Sequence, residues 1–274
     1  MMDGHGSDAV FVGSIPEFYD EYMVPMIFAA YAEDLARRVV ALDPGRVLEV
    51  AAGTGVVTRA VMRMVPGTAE LVATDLNQAM LDQAEATGTA RPVRWQQADA
   101  MQLPFEDATF DVVFCQFGVM FFPDKVRAFA EARRVLRPGG TLLFNVWDSL
   151  ADNEFAGLLE SVLAGLYPAD PPRFMGRTPH GYFDLATIAN DLTAAGFTTS
   201  PHHETIAARS HARSAQAAAI AYCQGTPLRA EIEARATPDL AAATAACAEA
   251  LAQRYGPGPI EGKIQAHIIT VKEA

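Results

Sequence analysis

Glu49, Gly53, Gly55, Asp75 and Asp99 are the residues of this chain whose types and spacing suggest chemistry. Gly53-x-Gly55 ends the apolar run that begins at Val47 and stands just before a stretch with helical spacing. Glycines at that point let backbone N–H groups approach a ligand, with the start of a helix behind them. Asp75 follows Gly55 by 20 residues, where a dinucleotide fold keeps an acid for the adenosine ribose hydroxyls. The third glycine position carries Thr58, which counts against a pyrophosphate. Glu49 counts against it too, because a carboxylate there repels phosphate and suits a cationic ammonium and sulfonium. Asp99, in "QADA", offers an acceptor to an adenine amino group. Structural readings stand beside these: a tight turn for the glycines, a helix cap for Asp75, and backbone N–H partners for Glu49.

The elements that must position these residues are legible on either side of them. Strands are expected at 46–50, 70–75, 92–99, 110–118 and 141–148, the first four each ending near a candidate residue. Helices are expected from Val56 to Met64, from Gln78 to Glu85 with Asn77 as cap, and after Asp124 to Leu136. Such alternation calls for a parallel sheet with right-handed crossovers. Later come a helix at 153–166, a proline- and glycine-rich loop at 167–183, a helix stopped by Gly196, a strand at 197–207 and a last strand at 261–272. Thr226-Pro227 and Thr237-Pro238 each read as a cap followed by proline at the first helical position. The stretch 18–42 reads as one or two helices, with Pro25 at a start or kink. Together these predict one doubly wound α/β domain over residues 1–274, with seven mostly parallel strands and an antiparallel last strand. Segments 1–42, 150–182 and 208–256 are expected to cover the substrate pocket.

Composition excludes several classes of function. A net charge of −12 with only three lysines, Lys125, Lys263 and Lys272, opposes nucleic-acid binding. Cys115, Cys223 and Cys247 are odd in number and unpaired in spacing, as expected of free thiols in a reducing compartment. No histidine and carboxylate share metal-ligand spacing, and no serine sits in a G-x-S-x-G turn, so neither a metal nor a nucleophilic triad is expected. The first residues lack a basic region ahead of an apolar run, and no uncharged stretch is long enough for a bilayer, so a cytoplasmic location is expected.

The ordered set Glu49-x-x-x-Gly53-x-Gly55, Asp75, Asp99, "FDVVFCQFGVMFFPD" and "RVLRPGGTLLFNVWD" resembles the class I S-adenosylmethionine-dependent methyltransferases. The likeness is greatest to the small-molecule group that includes the ubiquinone and menaquinone biosynthesis enzymes, and it is detailed over residues 15–150. It implies a Rossmann-like fold and S-adenosylmethionine as cofactor. Residue by residue, it implies that Ala51, Gly53, Thr54 and Gly55 lie under the methionine part, Asp75 on the ribose and Leu76 on the adenine. Asp99 and Ala100 would meet the adenine edge, Gln116 would face the cofactor near its methyl group, and Tyr19 or Tyr22 would reach the methionine carboxylate.

Methyl transfer from a sulfonium is an in-line displacement, so cofactor-binding residues matter most, and a base is needed only for a protonated nucleophile. Of the six histidines, His5 lies near the chain start, His202 and His203 in a turn or edge strand, His211 at the start of a helical region and His267 in the last strand. His180, with Tyr182 beside it in "GRTPHGYF", is the candidate base; the plainer reading is an exposed loop histidine. The acceptor is read as a small molecule, hydrophobic or aromatic from the run "CQFGVMFF". The rivals are an NAD-dependent oxidoreductase and a non-catalytic protein that keeps the fold for regulation or binding. The alanine-rich helices of 212–254 offer either a homodimer face or internal packing.

Overall fold

The computed structural model describes residues 15–235 and 237–274, and His5 lies outside them. Seven strands form one sheet: β1 (Arg46–Val50), β2 (Glu70–Asp75), β3 (Arg94–Gln97), β4 (Phe110–Gln116), β5 (Leu136–Trp147), β6 (His202–Ala212) and β7 (Ile260–Lys272). Their order is β3-β2-β1-β4-β5-β7-β6. β1 to β5 pair in parallel, while β7 runs antiparallel to β5 and to the outer strand β6. This is the expected doubly wound sheet.

The order carries a functional consequence. From β1 the chain moves outward to β2 and β3, then returns to place β4 on the other side of β1. Crossovers on either side of that reversal leave a crevice at the carboxyl ends of the strands, where ligands bind in open α/β sheets. β1 is buried after Arg46 because it has a hydrogen-bonded neighbour on each side and helices packed against it. Val57, Ala60 and Val61 of the helix Val56–Met64 join Leu35 and Val39 of the helix Ala29–Ala41 in that core.

The described residues form two compact units. One holds those up to Ala29, Asp148–Gly181 and Ala207–Gln265; the other holds Ala30–Trp147, Tyr182–Ile206 and Ala266–Ala274. The segments expected to form a cover fall mainly in the first. There the helix Ala215–Gln224 packs against Leu240–Tyr255, and the small side chains Ala217, Ala218, Ala219 and Ala221 are buried.

Several local expectations are corrected by longer-range pairing. β5 begins at Leu136, not Thr141, because the Gly139 N–H donates to Glu273 O at 3.1 Å and the Glu273 N–H donates to Gly140 O at 2.9 Å. The expected turn is thereby drawn into the sheet. β6 occupies 202–212 instead of 197–207, so His211 lies in a strand and the helical stretch starts only at Ala215. The last of the three alanine-rich helices starts at Leu240, where the Asp239 carboxylate accepts from Ala242 N–H at 2.8 Å, not at Thr237-Pro238. At Thr226-Pro227 the helix Leu228–Glu233 starts one residue later than expected, with Pro227 in the cap position, and Thr226 Oγ1 accepts from Leu228 N–H at 3.3 Å. Pro25 sits inside a π-helical segment, Tyr19–Phe28. β4 ends at Gln116 because Phe117 takes a φ of +51°.

Candidate functional site

The four candidate strand ends converge because β1, β2, β3 and β4 are parallel and adjacent. At the end of β1 the chain turns through Ala51 (φ +56°), Gly53 (φ +56°) and Gly55 (φ +81°) before the helix Val56–Met64. A Cβ on Gly53 would meet nothing within 4 Å, so this side of the turn is open. Gly55 is different: a Cβ there would lie 2.9 Å from the Trp95 ring and 3.2 Å from Ala84. Glycine at 53 thus leaves space over the turn, and glycine at 55 lets the turn sit against its own fold.

Asp75, at the tip of β2, is buried to 7% exposure. Its Oδ2 accepts from Gly53 N–H at 2.9 Å and its Oδ1 from Asn77 N–H at 2.8 Å. Burial raises its pKa, and these amide donors oppose the shift. Asn77 occupies the expected cap position of Gln78–Thr87, but its side chain makes no capping bond; its Nδ2 instead approaches Asp75 Oδ1 at 3.4 Å. The cap and ribose readings of Asp75 are therefore not exclusive: its bonds hold the Gly53 and Asn77 amides, and Oδ2 has room for a second donor.

Leu76 follows directly and is 51% exposed, while its carbonyl accepts from Gln97 Nε2 at 2.8 Å. A large aliphatic side chain half in solvent beside a buried acid, at the carboxyl end of β2, offers an apolar surface to a flat ring. Asp99 lies past β3, where its Oδ1 accepts from Met101 N–H at 2.8 Å, and Ala100 beside it is partly buried. The residues present therefore fit an adenosine group: an open glycine turn, an acid and an apolar platform.

Glu49 is 1% exposed at the end of β1. Thr58 Oγ1 donates to its Oε2, and the Thr58 amide also bonds to the carboxylate. Burial pushes the Glu49 pKa up to about 8, with Asp75 adding to the rise and Thr58 and Arg59 opposing it. Thr58, read from sequence only as a missing glycine, is thus the partner of the acid. A hydroxyl nine residues from a carboxylate across a glycine turn gave no local signal.

At the tip of β4, Gln116 is partly buried and its Oε1 accepts from Asn145 Nδ2 at 3.5 Å. The same Asn145 accepts from Phe117 N–H at 2.9 Å through Oδ1, which holds the left-handed turn. Phe117 stacks on Trp147 with centroids 3.8 Å apart, and Tyr31 meets both rings edge-on. Gly118 lets this turn close on the first one, since a Cβ there would lie 2.5 Å from Ala51 Cβ. Asn145, Trp147 and Tyr31 were missed in the sequence because all three read as core.

Tyr19, Tyr22 and His180 belong to the first unit, and Tyr182 to the second. Tyr19 stacks on Phe28 at 5.0 Å, and Tyr22 lies between Phe18 at 5.8 Å and the Arg213 guanidinium at 4.8 Å. His180 is buried to 5% exposure, not an exposed loop residue. Its Nδ1 lies 2.8 Å from Asp148 O, and burial lowers its pKa to about 4. Tyr182 donates to Asp191 Oδ2 at 2.7 Å, and burial together with that carboxylate raises its pKa. No helix among the described residues is long and apolar enough to cross a membrane.

Comparison with known proteins agrees with this geometry. Residues 48–144 match the family model of a methyltransferase domain. A ubiquinone/menaquinone biosynthesis C-methyltransferase of Stutzerimonas stutzeri is 34% identical over 171 residues, covering 58% of this chain and 67% of its own. A demethylmenaquinone methyltransferase of Deinococcus radiodurans is 41% identical over 117 residues, covering 42% of this chain and 46% of its own. Among solved structures, the YcgJ protein of Bacillus subtilis superposes with a TM-score of 0.56 at 19% identity, over 89% of this chain and 98% of its own. The [4+2]-cyclase SpnF superposes at 0.51 with 23% identity, over 88% and 80%; both likenesses concern the fold. With one third of residues shared over two thirds of the Stutzerimonas enzyme, and the strand order and switch-point turn in place, the chain belongs to the class I S-adenosylmethionine-dependent methyltransferases.

Proposed function

We propose that this methyltransferase acts on a small, apolar aromatic acceptor of the quinol type, and that the cofactor is held by the residues at the carboxyl ends of β1 to β4. The half-exposed Leu76 beside buried Asp75 carries the cofactor assignment, because it leaves an apolar platform and an acid where an adenosine needs both. Asp75 accepts from the ribose hydroxyls and Leu76 packs on the adenine face. Asp99 and Ala100 meet the adenine edge. Ala51, Gly53, Thr54 and Gly55 lie along the methionine part, and Glu49 opposes its ammonium. Gln116 faces the reacting end. When bound, S-adenosylmethionine supplies an electrophilic methyl on a sulfonium whose departure needs no proton. The acceptor class follows the names of the quinone-pathway relatives, and the net charge of −12 opposes a nucleic-acid acceptor.

A quinol ring carbon needs its phenolic proton removed as it attacks, and of the two candidate bases, His180 and Tyr182, only the imidazole lacks its titrating proton near pH 7. Burial that lowers its pKa to about 4 leaves the imidazole neutral near pH 7 but a weak base. Tyr182 holds its own proton through the same range.

Calorimetric titration with S-adenosylhomocysteine, with NAD as the parallel ligand, tests the cofactor site, and transfer of a labelled methyl group to a reduced quinone analogue tests the acceptor. Micromolar binding of the first ligand alone and label in the ring product are expected. Binding of NAD alone, or label only on amine acceptors, overturns the respective half.

A further inference from the structure

The helix Val56–Met64 begins at Gly55, which has no side chain with which to cap it. The free amides of a first helical turn need acceptors, and here the Glu49 carboxylate, arriving from the end of β1, takes the amide of Thr58. The Thr58 hydroxyl donates to the same carboxylate through Oε2. Both side chains are buried, Thr58 at 0% and Glu49 at 1% exposure. A second tie fixes the same strand end, as Thr74 Oγ1 donates to Glu49 O at 2.9 Å. A carboxylate gripped by one residue's amide and hydroxyl together is restricted to few rotamers.

We propose that Thr58 is a positioning residue for cofactor binding: its hydroxyl holds the Glu49 carboxylate in the orientation that receives the cationic ammonium of the methionine moiety. The inference rests on the reading that Glu49 meets that ammonium. It accounts for a threonine where a dinucleotide fold keeps its third glycine, since glycine has no donor and valine fills the same volume without one. Arg59, the next residue, acts on Glu49 only through its charge, while its Nη1 donates to Thr54 O at 2.7 Å.

The test is calorimetric titration of S-adenosylhomocysteine, which retains the ammonium, into the full chain and into Thr58→Val, Thr58→Ser, Glu49→Gln and Glu49→Gln/Thr58→Val, with melting curves for each. Loss of a hydrogen bond to a charged group predicts a dissociation constant raised roughly tenfold or more in Thr58→Val. Thr58→Ser should restore binding to within about threefold of the natural protein, because the hydroxyl alone accounts for the effect. The double variant should bind no more weakly than Glu49→Gln. Wild-type affinity in Thr58→Val with weakened binding in Glu49→Gln overturns the role of Thr58 and leaves the Glu49 reading standing. Wild-type affinity in Glu49→Gln overturns both, and additive losses in the double variant overturn the coupling. Should Thr58→Val fail to fold, Thr58→Ala, which removes the hydroxyl without β-branching, takes its place with the same expectations.

Discussion

Replacing Asp75 should injure both the fold and the ligand site, and two substitutions separate the injuries. The carboxylate accepts from the amides of Gly53 and Asn77 at 2.9 and 2.8 Å in a nearly buried setting. Alanine leaves two N–H groups without these acceptors, at about 1–3 kcal/mol each. Part of that loss is offset because the charge no longer has to be buried, the same burial that raises the Asp75 pKa. A net destabilisation of about 2–3 kcal/mol follows, which for a chain of this size lowers Tm by roughly 5–10 °C. Asparagine keeps one acceptor oxygen and turns its NH2 toward the other amide, so its Tm should fall between those of the natural protein and Asp75→Ala. Binding should respond on a different scale. Each charge-assisted bond to a ribose hydroxyl is worth about 1.5–3 kcal/mol, so S-adenosylhomocysteine should bind Asp75→Ala at least tenfold more weakly even well below its Tm. Melting curves with and without S-adenosylhomocysteine, and titration at a temperature where both variants are folded, supply the numbers. An unchanged Tm in Asp75→Ala would refute the clamp on the glycine turn. Wild-type affinity in the folded variant would refute the ribose assignment.

Leu76→Ala is the complementary perturbation. An exposed leucine contributes little to folding, so Tm should stay within the roughly 0.5 kcal/mol expected of a surface change, while lost apolar contact with the adenine weakens S-adenosylhomocysteine binding by about 1 kcal/mol in titration. A large Tm loss with unchanged binding would make Leu76 structural. Glu49 predicts a pH dependence of opposite sign to that of a paired carboxylate. In the cofactor-free chain its folded pKa is raised from 4.5 to about 8, so the native chain keeps a proton that the unfolded chain loses, and an ammonium arriving beside the carboxylate would draw that proton off. That stabilisation is complete below about pH 4.5 and lost as pH rises to about 8. Denaturant titrations of Glu49→Gln across this window should show a flatter stability profile than the natural protein, and parallel profiles would refute the assignment.

How much of this was legible beforehand depends on how far apart the interacting residues are. β1 and β2 fall at the residues expected, and Asp124 caps Lys125–Val135 by accepting from Arg127 N–H at 2.9 Å. These are local decisions made by apolar runs, glycine and proline punctuation, and a side chain that reaches its own helix. The acids at the strand ends were visible for the same reason, since a charge closing an apolar run is a local anomaly. Parallel order placed them together, and alternation of strands and helices had already implied that order.

Other features required the folded chain. Segment 137–140 reads as a turn until Glu273 pairs with it, and β6 begins five residues later than its own pattern suggested. His180 looks like a loop residue until the Asp148 carbonyl and its burial are seen. Asp75 looks like either a cap or a ligand-binding acid, and the structure shows its hold on Gly53 across 22 residues. The sequence by itself determined the alternating elements and the chemical types at the strand ends, because periodicity and capping act within a few residues. Tertiary structure alone decided which of those groups are buried, which backbone amides they satisfy, and which apolar side chain remains in water, because desolvation and hydrogen bonding depend on neighbours that only the assembled sheet supplies.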